Sequence, residues 1–272
     1  MSEYEMKLPP NLVENVLDKL RFSKYPDVNL SGLTEIYQAW CSKVPFDNIR
    51  KRIDSSSVPV LPLPGFTPTD FFTYWLKFGT GGTCWASHGA LYALLDCLGF
   101  SVQYGLSTML SQSPAPANSP GHGTLIVNVE DKPFIVDATM FHGHPLPLKE
   151  GLMTHPVWGT RIHRNKGYWY INWKPLGRSH LDCQLLEMNA PAHEYPYRHE
   201  QSRNASRFDG ALLIRMAGFN EITGVVKGKK IVRRPNGDEI ISVLSKDEKS
   251  KLLIEQFCIA EEIVFRIPDD IV

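Results

Sequence analysis

The stretch Gly81-Gly82-Thr83-Cys84-Trp85-Ala86-Ser87-His88-Gly89-Ala90-Leu91-Tyr92-Ala93-Leu94-Leu95-Asp96-Cys97-Leu98-Gly99 marks the change from helical to strand-like sequence. Leu91, Leu94, Leu95 and Leu98 recur at i, i+3, i+4 and i+7, the spacing of one helix face, and Gly99 supplies a left-handed stop. Gly79, Gly81 and Gly82 lack the lysine and Ser/Thr of a nucleotide-binding loop and read instead as the turn into this helix. Cys84 therefore falls at or near a helix N-terminus. A thiol is a useful nucleophile only as thiolate, and the positive end of a helix favours that anion.

Upstream, the sequence reads as helical. Asn11 with Glu14 forms a capping box ahead of Leu12, Val13, Val16, Leu17 and Leu20. Ser31 is the expected N-cap of a second helix carrying Leu33, Ile36, Tyr37 and Trp40, which must end before Pro45. Thr67, Pro68 and Asp70 start a third, with Phe71, Phe72, Trp75 and Phe78 on its apolar face. Downstream, residues 102–106, 123–129 and 133–136 read as strands, separated by Pro, Ser, Gly and Asn. Residues 111–120 read as a loop leading into His122. Further strands are expected over 212–215, 222–227, 230–234 and 239–243, then the capping box Ser245 to Glu248 and a last helix through Phe257.

Composition excludes several classes. The 272 residues hold 29 basic and 29 acidic side chains, so no electrostatic footprint for nucleic acid exists. At 43% hydrophobic and 21% charged the chain can build a core rather than remain disordered. No apolar run approaches the roughly 20 residues that cross a bilayer, and the acidic start Met1-Ser2-Glu3-Tyr4-Glu5 is unlike a secretory signal, so a cytoplasmic protein is expected. The five cysteines include no C-x-x-C pair, which fits neither a disulfide scaffold nor a zinc site. His142 and His144 lack partners spaced to complete a tetrahedral site, and no metal is expected; both read as exposed loop residues.

His122 opens one strand and Asp137 closes the strand that returns after Glu130-Asp131-Lys132-Pro133. If Glu130-Asp131 is a two-residue hairpin loop, Asp137 lies opposite Thr124 and diagonally beside His122 on one face. A three-residue loop would put the two on opposite faces.

The order Cys84, His122, Asp137 resembles the catalytic triad of the arylamine N-acetyltransferases. Val44-Pro45-Phe46-Asp47-Asn48-Ile49 is similar to that family's V-P-F-E-N-L, and Gly81-Gly82-Thr83-Cys84 to its R-G-G-x-C. His122 before a strand and Val136-Asp137 after one match its H-x-x-x-x-V and V-D pieces. Ser206-Arg207-Phe208 resembles an S-x-F signature, and residues 244–259 resemble its closing L-x-x-x-E and L-x-x-x-F-x-I segment. The departures are Thr80 for the arginine before G-G, Ala86 for an acidic or amide residue, His88 for an asparagine and Thr139 for a glycine near the acyl site. They imply that an ionic tie bracing the nucleophile loop is missing. They also mark a divergent member acting on a different acyl donor or amine.

The resemblance implies an α+β fold: an N-terminal helical bundle over 1–98 carrying the nucleophile, a central β-barrel over 99–202 carrying His122 and Asp137, and a C-terminal α/β lid over 203–272, around a cysteine-protease-like Cys-His-Asp core. It implies acetyl-CoA or another acyl-CoA as co-substrate and a small amine, hydrazine or hydroxylamine acceptor. Phe46, Trp85, Met140 and Phe141 are the expected substrate contacts, and Ser119, Gly121 and Ser206 the expected CoA contacts. Within acyl transfer, the runner-up is an amide synthase using a longer or carrier-bound thioester. A thiol hydrolase or transglutaminase-like enzyme would use the same triad, and a catalytically silent relative would keep only the fold.

Overall fold

The computed structural model describes residues 7–54, 60–110, 119–155, 157–203, 209–218 and 220–270. Ser206 and the rest of the Ser206-Arg207-Phe208 signature, and most of the 111–120 loop, lie outside them. The chain begins with helices α1 (Pro10–Leu20) and α2 (Leu30–Lys43), a short strand β1 (Phe46–Asp47), and helices α3 (Ile49–Asp54), α4 (Pro68–Phe78) and α5 (Cys84–Cys97). Next come β2 (Ser101–Leu110), β3 (His122–Val129), β4 (Lys132–Val136), β5 (Leu146–Pro147), β6 (Gly151–Met153), β7 (Thr160–Asn165), β8 (Tyr168–Trp173) and β9 (Leu181–Ala190). The last part holds α6 (Glu194–Gln201), β10 (Leu213–Ala217), β11 (Ile222–Val226), β12 (Lys229–Arg233), β13 (Glu239–Val243), α7 (Lys246–Glu255) and α8 (Glu261–Val264).

Local chemistry explains most helix ends. Thr67 accepts a hydrogen bond from the Asp70 amide at 3.1 Å, Pro68 follows it, and Gly79 closes α4 with φ of 77°. Ser245 and Glu248 form the expected capping box of α7. Two starts differ from expectation. Pro9 and Pro10 open α1 with fixed φ and no side-chain cap, so Asn11 lies inside the first turn. Asn29, not Ser31, caps α2, accepting from the Gly32 amide at 2.9 Å.

Eight strands form one sheet in the order β5-β4-β3-β2-β9-β8-β7-β6, antiparallel throughout. Its end strands β5 and β6 are not hydrogen-bonded to each other, so the expected closed barrel is an open sheet. Strands β7 to β9 were not anticipated: Arg161, Arg164, Asn172 and Asp182 interrupt the apolar alternation because only one face of this wing is covered. A second sheet has the order β1-β10-β11-β12-β13, so a strand from the helical first part edges the sheet of the last part. Among the described residues no helix is long and apolar enough to cross a membrane.

The main core joins the helices to the inner sheet face. Trp40 stacks on Phe71 with centroids 5.9 Å apart and meets Phe72 edge-on at 6.1 Å, the offset and T-shaped arrangements that ring quadrupoles favour. Helix α5 is buried on nearly all sides by α4, α6, β2 and β3. The turn feeding it is equally confined: a Cβ on Gly81 would overlap the Pro45 carbonyl oxygen, whereas one on Gly89 meets nothing within 4 Å. Gly81→Ala is therefore expected to lower unfolding free energy by about 2 kcal/mol or more in urea titration, and Gly89→Ala, inside a helix with room to spare, to raise it by about 0.5–1 kcal/mol.

Candidate active site

The hairpin register decides whether two of the three implicated residues meet. Val129 pairs with Lys132 and Leu125 with Val136, so Glu130-Asp131 is a two-residue loop. Their φ values of 51° and 59° are those of a type I′ turn, whose twist suits the flanking strands. Asp137 then follows β4 opposite Thr124, on the face of His122. The geometry is the one the two-residue reading requires: His122 Nε2 lies 2.7 Å from Asp137 Oδ2.

Asp137 is fully buried and both of its carboxylate oxygens are engaged. Oδ1 accepts from the Thr139 amide at 2.9 Å, the Thr139 hydroxyl at 2.9 Å and the Met140 amide at 3.1 Å, while Oδ2 faces His122. Its backbone carbonyl takes the Tyr37 hydroxyl at 2.7 Å, and the next carbonyl takes the Trp40 indole at 3.2 Å. Helix α2 thus holds the turn that presents the carboxylate. Burial would push this carboxyl up, but the His122 charge foremost, with the donated hydrogen bonds, holds it well below the usual carboxylate range.

Cys84 is the first residue of α5, after Thr83 at the N-cap, which makes no side-chain cap. The amide of Ser87 is the one that returns to the Thr83 carbonyl, leaving the amides of Cys84, Trp85 and Ala86 outside the intrahelical ladder. Cys84 lies close enough to the His122 imidazole to help raise the ring's pKa. With Nε2 committed to Asp137, Nδ1 is the ring position left for the sulfur. Burial lowers the His122 pKa, but the charge and hydrogen bond of Asp137, reinforced by Cys84, outweigh it and raise His122 well above its ordinary value. The arrangement can hold a thiolate–imidazolium pair beside unused helix N–H groups, which suits attack on a carbonyl carbon and stabilisation of the resulting oxyanion.

Two departures noted in the sequence serve this cluster. The Thr139 hydroxyl turns onto Asp137 and is completely buried, rather than facing the acyl site. His88, one turn after Cys84, accepts the Ala138 amide at Nε2 (3.0 Å) and therefore donates from Nδ1 to the Cys84 carbonyl (2.7 Å), bracing the helix start against the Asp137 turn. The missing ionic tie also has a substitute. Asp47 Oδ2 accepts from the Gly81 amide at 2.6 Å and Oδ1 from the Ile49 amide at 2.9 Å, which fixes the loop before Cys84 without an arginine. Burial pushes the Asp47 carboxyl up to about 6, against the pull of these amides and Arg50.

His88, His122 and Asp137 offer ligand atoms within 4.8 Å of one another, a spacing open to a metal ion. Their lone pairs are already engaged by Ala138, Thr139, Met140 and each other, so hydrogen bonding accounts for the cluster. His142 is buried, not exposed as expected: its Nδ1 meets the His144 carbonyl at 2.9 Å and burial lowers it to about 4.

The other implicated residues divide. Phe46 is buried on β1, bridged to Gly82. Met140 and Phe141 follow Asp137, Met140 half-buried and Phe141 buried with φ of 54°. Ser119 and Gly121 are exposed just before His122, Gly121 donating to the Ser107 carbonyl at 3.1 Å. Trp85, an expected substrate contact, is buried and meets the Tyr195 ring edge-on at 5.2 Å. A large cavity of about 1050 Å³ between α1, α2, residues 141–144 and the end of β10 is lined by none of Cys84, His122 and Asp137. Sequence reading passed over Asp47, whose place in V-P-F-D was the available signal, and the structural use of His88, signalled by its i+4 spacing from Cys84.

Two outcomes follow. Iodoacetamide at pH 6–7 is expected to alkylate Cys84 before the exposed Cys97 and Cys258, and Asp137→Ala to slow Cys84 by about tenfold or more, read by peptide mass mapping. The stability contributed by raising His122 is full below the unfolded value of about 6.5 and fades as pH rises through the folded one, while that from depressing Asp137 is full above about 3.9 and fades as pH falls. The stability gap between wild type and His122→Gln in urea is thus expected to be widest at about pH 4–6.5 and to narrow at alkaline pH.

A family model described as N-acetyltransferase matches residues 29–175, more than half of the chain and all three residues of the cluster. No curated protein sequence matches it. Among solved structures the fold is similar to an arylamine N-acetyltransferase of Mycobacterium smegmatis, with a TM-score of 0.80 and 18% identity over 93% of this chain and 96% of that one. It is also similar to that of Salmonella typhimurium (TM-score 0.79, 16% identity, 95% and 98% covered). A third is the Mycobacterium marinum arylamine N-acetyltransferase in complex with CoA (TM-score 0.80, 15% identity, 93% and 97% covered). With the family model spanning Cys84, His122 and Asp137, the chain belongs to the arylamine N-acetyltransferase family.

Proposed function

We propose that this protein transfers an acyl group, acetyl in the simplest case, from a CoA thioester through Cys84 to an amine, hydrazine or hydroxylamine. One observation carries the reading: an imidazole 2.7 Å from a buried carboxylate is also acted on by the side chain of a cysteine that opens an uncapped helix. The M. marinum relative's complex with CoA supports the choice of donor.

In the first half-reaction the proton of Cys84 rests on His122 and the sulfur attacks the thioester carbonyl carbon. The oxyanion that forms is met by the free amides at the start of α5. The bond to the CoA sulfur breaks, His122 returns its proton to the leaving thiol, and the acyl group remains on Cys84. In the second, the acceptor nitrogen attacks that carbonyl, its proton passes to His122, and the thiolate leaves. Asp137 does not change protonation; it fixes the imidazole and stabilises its charge. Phe46 lines the acceptor side, Met140 and Phe141 border the acyl group, and Ser119, Gly121 and Ser206 border CoA. Residues 1–98, 99–202 and 203–272 act as the nucleophile-bearing, His/Asp-bearing and covering parts of one cytoplasmic enzyme.

Incubation with acetyl-CoA and no acceptor is expected to add about 42 Da to the intact mass, one acetyl in place of a thiol hydrogen, and Cys84→Ala to remove the adduct. Initial rates at varied donor and acceptor should give the parallel double-reciprocal lines of a ping-pong scheme. An adduct only from longer acyl thioesters favours the amide synthase. Absence of an adduct from every acyl-CoA, with cleavage of peptide amides, favours the hydrolase; absence of both favours the silent relative.

A further inference from the structure

Arg215 sits in β10 opposite Phe46 of β1, and its guanidinium carbon lies 4.5 Å from the Phe46 ring centroid. Strand alternation sends it to the same face as Leu213 and Ala217, which belong to the core shared with Phe46, Ala138 and Phe141. It is only 8% exposed. A buried guanidinium with five donors normally finds acceptors, and the chain's other buried arginines do. Arg50 forms two hydrogen bonds to Asp70, Arg52 pairs with Asp270 and two carbonyls, and Arg233 pairs with Glu239 and several carbonyls.

Arg215 has no such set. Its Nε is buried without any hydrogen-bond partner, and among the described residues no carboxylate or carbonyl accepts from its guanidinium. The charges that reach it are those of Asp137 and Cys84, which favour its cationic form, and of Arg233, which opposes it, all without a direct bond. Burial lowers it to about 10, so it remains cationic at neutral pH. A cation is thus set over the Phe46 ring, within electrostatic reach of Asp137 and Cys84, with its Nε unpartnered.

We propose that Arg215 receives a carboxylate carried by the substrate, so that the site favours an acyl group or an amine bearing a free carboxylate over a neutral one. The proposal rests on the acyl-transfer reading and names its substrate class. The carboxylate takes no part in bond changes: the thioester carbonyl still passes from the CoA sulfur to Cys84 and then to nitrogen, while two parallel N–H···O bonds hold the distal anion. The two sources of that anion, donor and acceptor, are separable.

Acyl-enzyme formation is measured with succinyl-CoA, malonyl-CoA and acetyl-CoA, and turnover with 4-aminobenzoate against aniline, in wild type, Arg215→Met and Arg215→Lys. The wild type is expected to prefer the carboxylate-bearing member of the donor or the acceptor set, which identifies the source. Arg215→Met should cut that preference ratio by about 10- to 100-fold, the loss of charge-assisted hydrogen bonds, and Arg215→Lys should restore part of it. A ratio that Arg215→Met leaves unmoved, or a wild type without preference in either set, overturns the proposal while leaving acyl transfer intact. If no donor forms an adduct, the acyl-transfer reading fails instead. Arg215 is then judged by whether succinate or 4-aminobenzoate slows iodoacetamide labelling of Cys84 in wild type but not in Arg215→Met; without that protection the carboxylate site falls too.

Discussion

The contact between His122 Nε2 and Asp137 Oδ2, 2.7 Å long and shielded from water, is the constraint on which the rest of the site depends. It exists because a hairpin loop of two residues sets the register of β3 and β4, and one more residue would carry Asp137 to the opposite face. A buried carboxylate is costly unless paired and fully hydrogen-bonded. Here Thr139, Met140 and His122 satisfy it, and Tyr37 and Trp40 anchor the turn that carries it. The imidazole is consequently held in one orientation by Asp137.

Three separate parts of the chain meet at that point. Helix α5 delivers the sulfur at its positive end, the eight-stranded sheet delivers the histidine and the carboxylate, and the second sheet brings Arg215 against Phe46. The joints between them are backbone contacts with little slack. The Gly81 amide sits on the Asp47 carboxylate, the Ala138 amide on the His88 ring, and the Cys84 carbonyl on the other nitrogen of that ring. In this chain Asp47, His88 and Thr139 do by local hydrogen bonds what a longer ionic tie would do elsewhere. The departures from the family pattern at 88 and 139 thus enter hydrogen bonds around Cys84, His122 and Asp137, whereas the buried Arg215 has no acceptor for its Nε among the described residues.

Much of this was readable from the chain. Leucine spacing and Gly99 place Cys84 at a helix start, and the turn signal Glu130-Asp131 gives the register that joins His122 to Asp137. What the sequence hides depends on long-range packing. The rotation of α5 about its axis turns Trp85 onto Tyr195, which no periodicity in an all-round apolar helix reveals. Strands β7 to β9 are masked by polar residues on their uncovered face, and sheet closure depends on end strands too short to leave a pattern. His142 reads as a loop histidine, yet its neighbours bury it. Arg215 is visible as a charge inside an apolar strand, but its lack of a partner emerges only when every acceptor around it has been placed.

The most direct measurement is the nitrogen NMR titration of the His122 ring in protein labelled at histidine. The His122–Asp137–Cys84 account predicts a ring doubly protonated well above its ordinary value of about 6.5, falling in Asp137→Asn and, to a smaller degree, in Cys84→Ala. A His122 that titrates near its ordinary value in all three proteins would contradict it.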